Sequence, residues 1–331
     1  MRPRLLASLA VLCLVAACSE ADDSPLADDT RSSSTTEAPT ATTDEKAGDD
    51  APPGDAATVE LLDPGSEPRR PLRLAPAEGC SVGRTLRQSG EIVVDAGEAA
   101  GTSQQSTRSV TEQDLTYRCA EVSDERIELE LGYGGGRVIE ADPSSQSVLE
   151  DVLGAFEGAT GSVAFDDHGQ ILGSTPPDID LPGALQAVGE QLTEGLEAQA
   201  AALAVPFPEE AVGHGARWRV TSNGVLGGLT FNQTTTFTIT SIEGDIVTAD
   251  NEITMELPPG PVELPDSVGS STAEVIEGRL TGTGTTTWNL AEVVPYGVQV
   301  LEGDIVTAIE AGGEALTLRQ HQRTQTEIRP R

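Results

Sequence analysis

Cys13, Cys18, Cys80 and Cys119, with His168, His214 and His321, are the residues through which this chain of 331 would carry out metal, redox or nucleophilic chemistry. A zinc site needs three or four such ligands at short recurring spacings, and neither a CxxC nor an HExxH occurs. Cys80 and Cys119 stand about 40 residues apart, which suits neither a redox pair nor a metal site and reads as a disulfide in an oxidising compartment. His168 sits in Asp166-Asp167-His168-Gly169, the composition of a hairpin turn, and the acids around it match no calcium-loop spacing. His214 falls in a glycine-flanked loop and His321 in a polar final strand. There is no GxSxG elbow and no phosphate-cradling glycine loop. With 54 carboxylates in the chain, no pair of them is informative as a glycosidase signature. The expectation is a protein with no catalytic residue, no metal site and no cofactor.

Cys18 has a different setting. Arg2 and Arg4 precede an apolar run over residues 5–15, followed by Val15-Ala16-Ala17-Cys18. This is the layout of a secretory signal, and its apolar run is about half the roughly 20 residues that span a bilayer. Small residues directly before a cysteine resemble the lipobox of bacterial lipoproteins. That resemblance implies removal of residues 1–17, Cys13 among them, and a diacylglyceryl group on Cys18. Two acyl chains make attachment effectively permanent. The expected location is the extracytoplasmic face of a cell membrane, with the membrane itself as a partner through the lipid anchor.

The formal net charge is −34, and Lys46 is the only lysine. Such a surface repels nucleic acid, which is excluded as a partner. Residues 18–57 are rich in Asp, Ser, Thr, Ala and Pro and nearly free of large apolar side chains, so a disordered acidic linker is expected there.

The remainder, residues 58–331, is long enough for a substantial core and is expected to be an antiparallel β domain. Ile127, Leu129 and Leu131 alternate with glutamates, and Phe237 and Ile239 with threonines. Ile253, Met255 and Leu257, then Leu316 and Leu318, repeat this period of two. Further strands are expected at 82–94, 106–118, 162–166, 170–174, 218–222, 273–288 and 298–309. Runs of this length point to long antiparallel strands in a curved sheet or half-barrel. Two helices interrupt them, near 145–157 and 183–204. Val148, Val152, Leu153 and Phe156 share one face of the first; Leu185, Val188, Leu192, Leu196, Ala200 and Leu203 form a stripe on the second. The expected class is therefore mainly β with two packed helices, α+β, the second helix lying on the sheet as lid or floor.

Three details bear on what such a sheet does. The heptapeptide Glu243-Gly244-Asp245-Ile246-Val247-Thr248-Ala249 recurs as residues 302–308, and both copies read as hairpin turns feeding a strand. Gly134–Gly136 reads as a turn after Tyr133. Gly278, Gly282 and Gly284 share one strand face with Ile276, Leu280 and Trp288, marking a bend or a close approach. Trp218 and Trp288 read as core or interface anchors.

The run from Val205 to Trp218 contains P-x-x-x-V-x-x-G-x-x-W, formed by Pro208, Val212, Gly215 and Trp218. It resembles an element of uncharacterised surface lipoproteins of actinobacterial type, which carry no assigned reaction. A weaker likeness, in architecture alone, is to half-barrel lipid-carrier lipoproteins. The expected role is a non-catalytic interaction or structural module with an envelope protein as partner; the alternative, which the second likeness implies, is binding or carriage of a hydrophobic ligand such as a lipid.

Overall fold

The computed structural model describes residues 57–96, 104–123, 125–179, 181, 205–226, 229–262, 272–311 and 314–331. They form one antiparallel sheet of 13 strands. In chain order these are β1 (Thr58–Asp63), β2 (Ser81–Asp95), β3 (Gln105–Val122), β4 (Ile127–Ala141), β5 (Thr160–Phe165), β6 (Ile171–Thr175), β7 (Arg217–Leu226), β8 (Leu229–Glu243), β9 (Ile246–Leu257), β10 (Gly260–Val262), β11 (Thr272–Asn289), β12 (Tyr296–Ala311) and β13 (Glu314–Pro330). The helix α1, Pro143–Phe156, joins β4 to β5. Spatially the order is β1-β7-β8-β9-β11-β12-β13-β2-β3-β4-β5-β6, with β10 paired to β11. β3 and β11 run for 18 residues each, and threonine-rich stretches such as Thr234–Thr236 of β8 and Thr285–Thr287 of β11 supply the β-branched side chains that strands favour.

The sheet curls until its two ends share one core. Trp218 of β7, Phe237 of β8 and Trp288 of β11 belong to the same buried cluster as Tyr117 of β3, Leu129 of β4 and Phe165 of β5. The Gln170 amide, just before β6, donates to the Ala57 carbonyl at the start of β1, so the edges meet at 2.9 Å. Extended segments close this end. Leu72 and Leu74 from residues 64–80, and Phe207 and Val212 from residues 205–216, are buried in the core. Main-chain bonds lock them: Arg70 and Val212 exchange two at 3.0 and 2.9 Å, while Leu74 and Phe207 each donate at 2.8 Å to the Asp167 and His168 carbonyls.

The two packed helices of the α+β expectation are corrected here. The fold is mainly β, and α1 is the single helix among the described residues. The stretch 183–204 lies outside them. Where a second helix was expected to cover apolar surface, the main core is closed by the sheet's own far end and by the extended segments. α1 starts two residues earlier than the alternation suggests, with Pro143 in its first turn, and buries Val152 and Phe156. The Asp142 carboxylate accepts from the Arg108 amide at 2.8 Å instead of capping the helix.

Identical local sequence takes two conformations. Gly244-Asp245 is the β8–β9 turn, with Gly244 at φ 59°. The second copy, from Glu302, runs straight through β12, where Glu302 and Asp304 face Arg323 and His321 of β13. The turn reading of that copy is thus corrected: fifteen cross-strand pairs with β13 outweigh a local turn preference. Gly134–Gly136 is corrected likewise, lying within β4 at a register shift opposite Gln113 and Leu115.

On the outer face Glu112 stitches four strands. Its carboxylate accepts from Arg87 of β2 at 2.8 Å, from Arg329 of β13 at 2.9 Å, and from Arg137 of β4. Although only 8 % exposed, it stays ionised because these hydrogen bonds, led by that from Arg87, lower its pKa from 4.5 to about 2 against the cost of burial. A depressed carboxylate stabilises fully above its unfolded pKa, and the contribution disappears as pH falls from about 4.5 to about 2. Glu112→Gln is expected to cost about 1–3 kcal/mol at neutral pH, because the arginines left behind are partly solvated. Urea unfolding at pH 7 and pH 3 should show the variant losing less stability on acidification than the parent.

Candidate functional site

Inside the curl, alternation and register set the side chains in rows across the strands. Deepest is an aromatic group. Trp218 stacks on Phe237 at 5.1 Å between ring centres, and Trp288 meets Phe207 and Phe237 edge-on at 5.5 and 5.7 Å. The Trp218 indole donates to the Pro206 carbonyl at 3.2 Å. Both tryptophans are thus core anchors, and the quoted run explains itself residue by residue. Pro208, Val212 and Trp218 are fully buried, and Gly215 takes φ 79°. Gly213 beside them has no room for a side chain, since a Cβ would come within 1.9 Å of the Ser66 carbonyl.

A cavity of about 10 Å³ remains in this core, lined by Leu74, Phe207 and Val293 among others. The Tyr117 hydroxyl and the Trp288 indole N–H are buried without a partner, and both side chains line it. Burial raises the Tyr117 pKa, and pushes that of nearby Tyr133 up to about 12, so both phenols are protonated at any physiological pH. Arg84, buried in the same wall, is matched by Glu292 at 2.8 Å and the Val294 carbonyl at 2.9 Å. This clamp holds the loop before β12, in which Val293 sits at φ 66°, a costly conformation for a β-branched residue.

Above the aromatic group lies a row without charge. Asn251, Gly284, Gln299, Thr326, Gln88 and Thr111 are direct cross-strand partners from β9 to β3. The Asn251 amide donates to Thr286 at 2.9 Å, while its carbonyl oxygen is buried without a partner. Beyond this row a second apolar cluster gathers Leu229, Leu257, Val275, Leu280, Ile305 and Ile309. The glycines of β11 serve close approach. A Cβ on Gly282 would lie 2.1 Å from the Val300 carbonyl, and one on Gly284 2.4 Å from that of Val298. Ile276, expected on the same face, is exposed because the register shifts between Val275 and Glu277.

The histidines occupy three separate elements. His168 is in the β5–β6 turn, where the Asp166 carboxylate accepts from its amide at 3.0 Å and from that of Gln170 at 2.7 Å. His214 is exposed, and its carbonyl receives the Ser66 amide. His321 faces Asp304 at 3.1 Å on the outer surface. His168 stands 3.6 Å from Asp167, and among the described residues no three His, Cys, Asp or Glu gather as metal ligands. Cys80 and Cys119 are bonded, with Cα atoms 5.0 Å apart, joining the start of β2 to β3. Cys18, the proposed lipidation site, lies outside the described residues, and so does the proposed lid over residues 185–203. No helix among the described residues is long and apolar enough to cross a membrane. What the sequence did not reveal is the row from Asn251 to Thr111, since it joins six strands whose polar residues look solvent-facing when each is read alone.

No family model matches the chain, and no curated protein matches it. Among solved structures, Pseudomonas aeruginosa OccK8 (OprE) aligns over 77 % of this chain and 100 % of its own, at 7 % identity and a TM-score of 0.17. That value is too low to carry any argument about fold or role.

Gly282→Ala is expected to lower stability by about 1–3 kcal/mol through overpacking against β12, whereas Gly173→Ala, with open space around its Cβ, should be neutral. Thermal melts of the two variants check this. Replacing Cys80 and Cys119 by serine releases a loop of about 40 residues and should cost about 2–4 kcal/mol in the same measurement.

Proposed function

We propose that this protein is a lipid-anchored extracytoplasmic interaction module that performs no catalysis and works through its outer surface. The observation carrying the reading is the tight packing of the two apolar clusters among the described residues. Trp218, Trp288, Leu280 and Ile305 are exposed by 0, 2, 3 and 4 %, respectively. The cavity lined by Trp288, Tyr117 and Phe207 is about 10 Å³, room for no more than a single water. A ligand the size of a lipid needs hundreds of cubic ångströms. The anchor at Cys18 and the acidic linker that follows it account for display at the membrane, and an oxidising exterior suits the Cys80–Cys119 bond.

Binding of a hydrophobic ligand is the second reading, favoured by the uncharged row from Asn251 to Thr111 between two apolar clusters. That row suits a molecule with both apolar and neutral hydrogen-bonding parts.

Metabolic labelling with palmitate is expected to mark the protein, and Cys18→Ala to abolish both the label and membrane retention. Native mass spectrometry of the Cys18→Ala protein, purified without detergent, should give the mass of the polypeptide alone. A co-purified lipid would replace the interaction reading by the second one, and an unlabelled protein would remove the anchor.

A further inference from the structure

The outer face of β13, β2, β3 and β4 carries a groove of about 580 Å³. Arg137, Arg329 and Arg331 line it, with Glu112 in its floor and Asp114, Gly135 and Gly136 along its sides. Arg87 reaches the same floor through Glu112. In a chain of net charge −34, this is a concentration of positive charge: four guanidinium groups meet two carboxylates. Glu327, 3.8 Å from Arg329, stands on the edge.

The donors outnumber what the carboxylates accept. Glu112 is shared by three arginines, and Asp114 takes Arg331 at 2.9 Å and the Thr85 hydroxyl at 3.0 Å. Each guanidinium has five N–H groups, and one or two suffice for these contacts, so donors remain on Arg137, Arg329 and Arg331. Arg137 is 71 % exposed. Buried Glu112 fixes the far ends of Arg87, Arg137 and Arg329, and Asp114 that of Arg331, so their forks are pre-organised and lose little freedom on binding. Gly135 has no atom within 4 Å of where its Cβ would stand, which keeps that side of the groove open.

We infer that this groove binds an oxyanion, a phosphate or carboxylate, carried on an extended molecule. The guanidinium forks match such groups in planar geometry. The volume exceeds that of a single inorganic ion and suits a chain of linked anionic groups. The inference rests on the reading that the outer surface does the work, and names the chemistry recognised there.

Isothermal titration of the full-length protein with inorganic phosphate and with tripolyphosphate tests it. Saturable binding is expected for both, at least tenfold tighter for tripolyphosphate. The double variant Arg137→Ala/Arg331→Ala should weaken tripolyphosphate binding at least tenfold. Gly135→Glu, which adds a carboxylate to the groove where space is open, should do the same while leaving the melting temperature unchanged. Arg323→Ala, an arginine paired with Glu302 elsewhere on the outer face, should bind as the parent does. Absence of saturable binding, parent-like affinity in the groove variants, or an equal loss in Arg323→Ala would overturn the site. Equal affinity for the two probes would overturn the extended ligand. Should the double variant not fold, arginine Nε–Hε NMR shifts of the parent on adding tripolyphosphate decide: Arg137, Arg329 and Arg331 must move. None of these outcomes alters palmitate labelling or the native mass, so a failed groove remains distinguishable from a failed anchor or a lipid-filled interior.

Discussion

The burial of Trp218 and Trp288 is the constraint from which the architecture follows. Aromatic residues are only 3 % of the chain, and its largest side chains are brought to one place. A sheet face alone leaves an indole half solvated, because neighbouring strands cover its sides but not its top. Here the cover is the far end of the same sheet, with Tyr117, Leu129 and Phe165 arriving from β3, β4 and β5. That requires a curl through twelve strands in spatial order, and the curl in turn requires close approach between β11 and β12. Gly282 and Gly284 permit that approach, since neither position has room for a Cβ.

A curled sheet leaves an open end, and main-chain polar groups there must be satisfied without strand neighbours. The segments around Leu72 and Phe207 solve both problems at once, burying apolar side chains while donating to carbonyls of the β5–β6 turn. The His168 turn, whose composition invites a metal reading, serves as their docking point. The strain at Val293 belongs to the same closure, held by the pair between buried Arg84 and the more exposed Glu292.

Strands with one wet face were legible, because period-two alternation is a local signal: Ile127–Leu131, Phe237–Ile239 and Ile253–Leu257 all lie in strands with alternating burial. The disulfide was legible from the cysteine count and spacing together with the expectation of export. Whatever depends on a partner strand was not. The repeated heptapeptide is a turn in one place and mid-strand in another, and no property of its seven residues distinguishes the two. Glu112 reads as one glutamate among many until Arg87, Arg137 and Arg329 are brought to it from three other strands. The closing segments have no period at all, so their buried residues carry no pattern to find.

The separation of charge between the two faces bears on how a chain so acidic holds together. Net charge far from zero opposes compactness through self-repulsion. Most of the described carboxylates stand on outer-face positions of strands or in turns, where water and salt screen them within about 8 Å. The inner rows from β8 to β13 hold amides, hydroxyls, glycines and hydrocarbon. Arginine is spent where repulsion or burial would otherwise be worst: buried Arg84 is answered by Glu292 at the closed end, and the trio around Glu112 answers an outer-face carboxylate that is almost wholly buried. Four strands held by a single acid carry more positive than negative charge at that point, so the same arrangement that secures the sheet leaves an attractive patch on a repulsive surface.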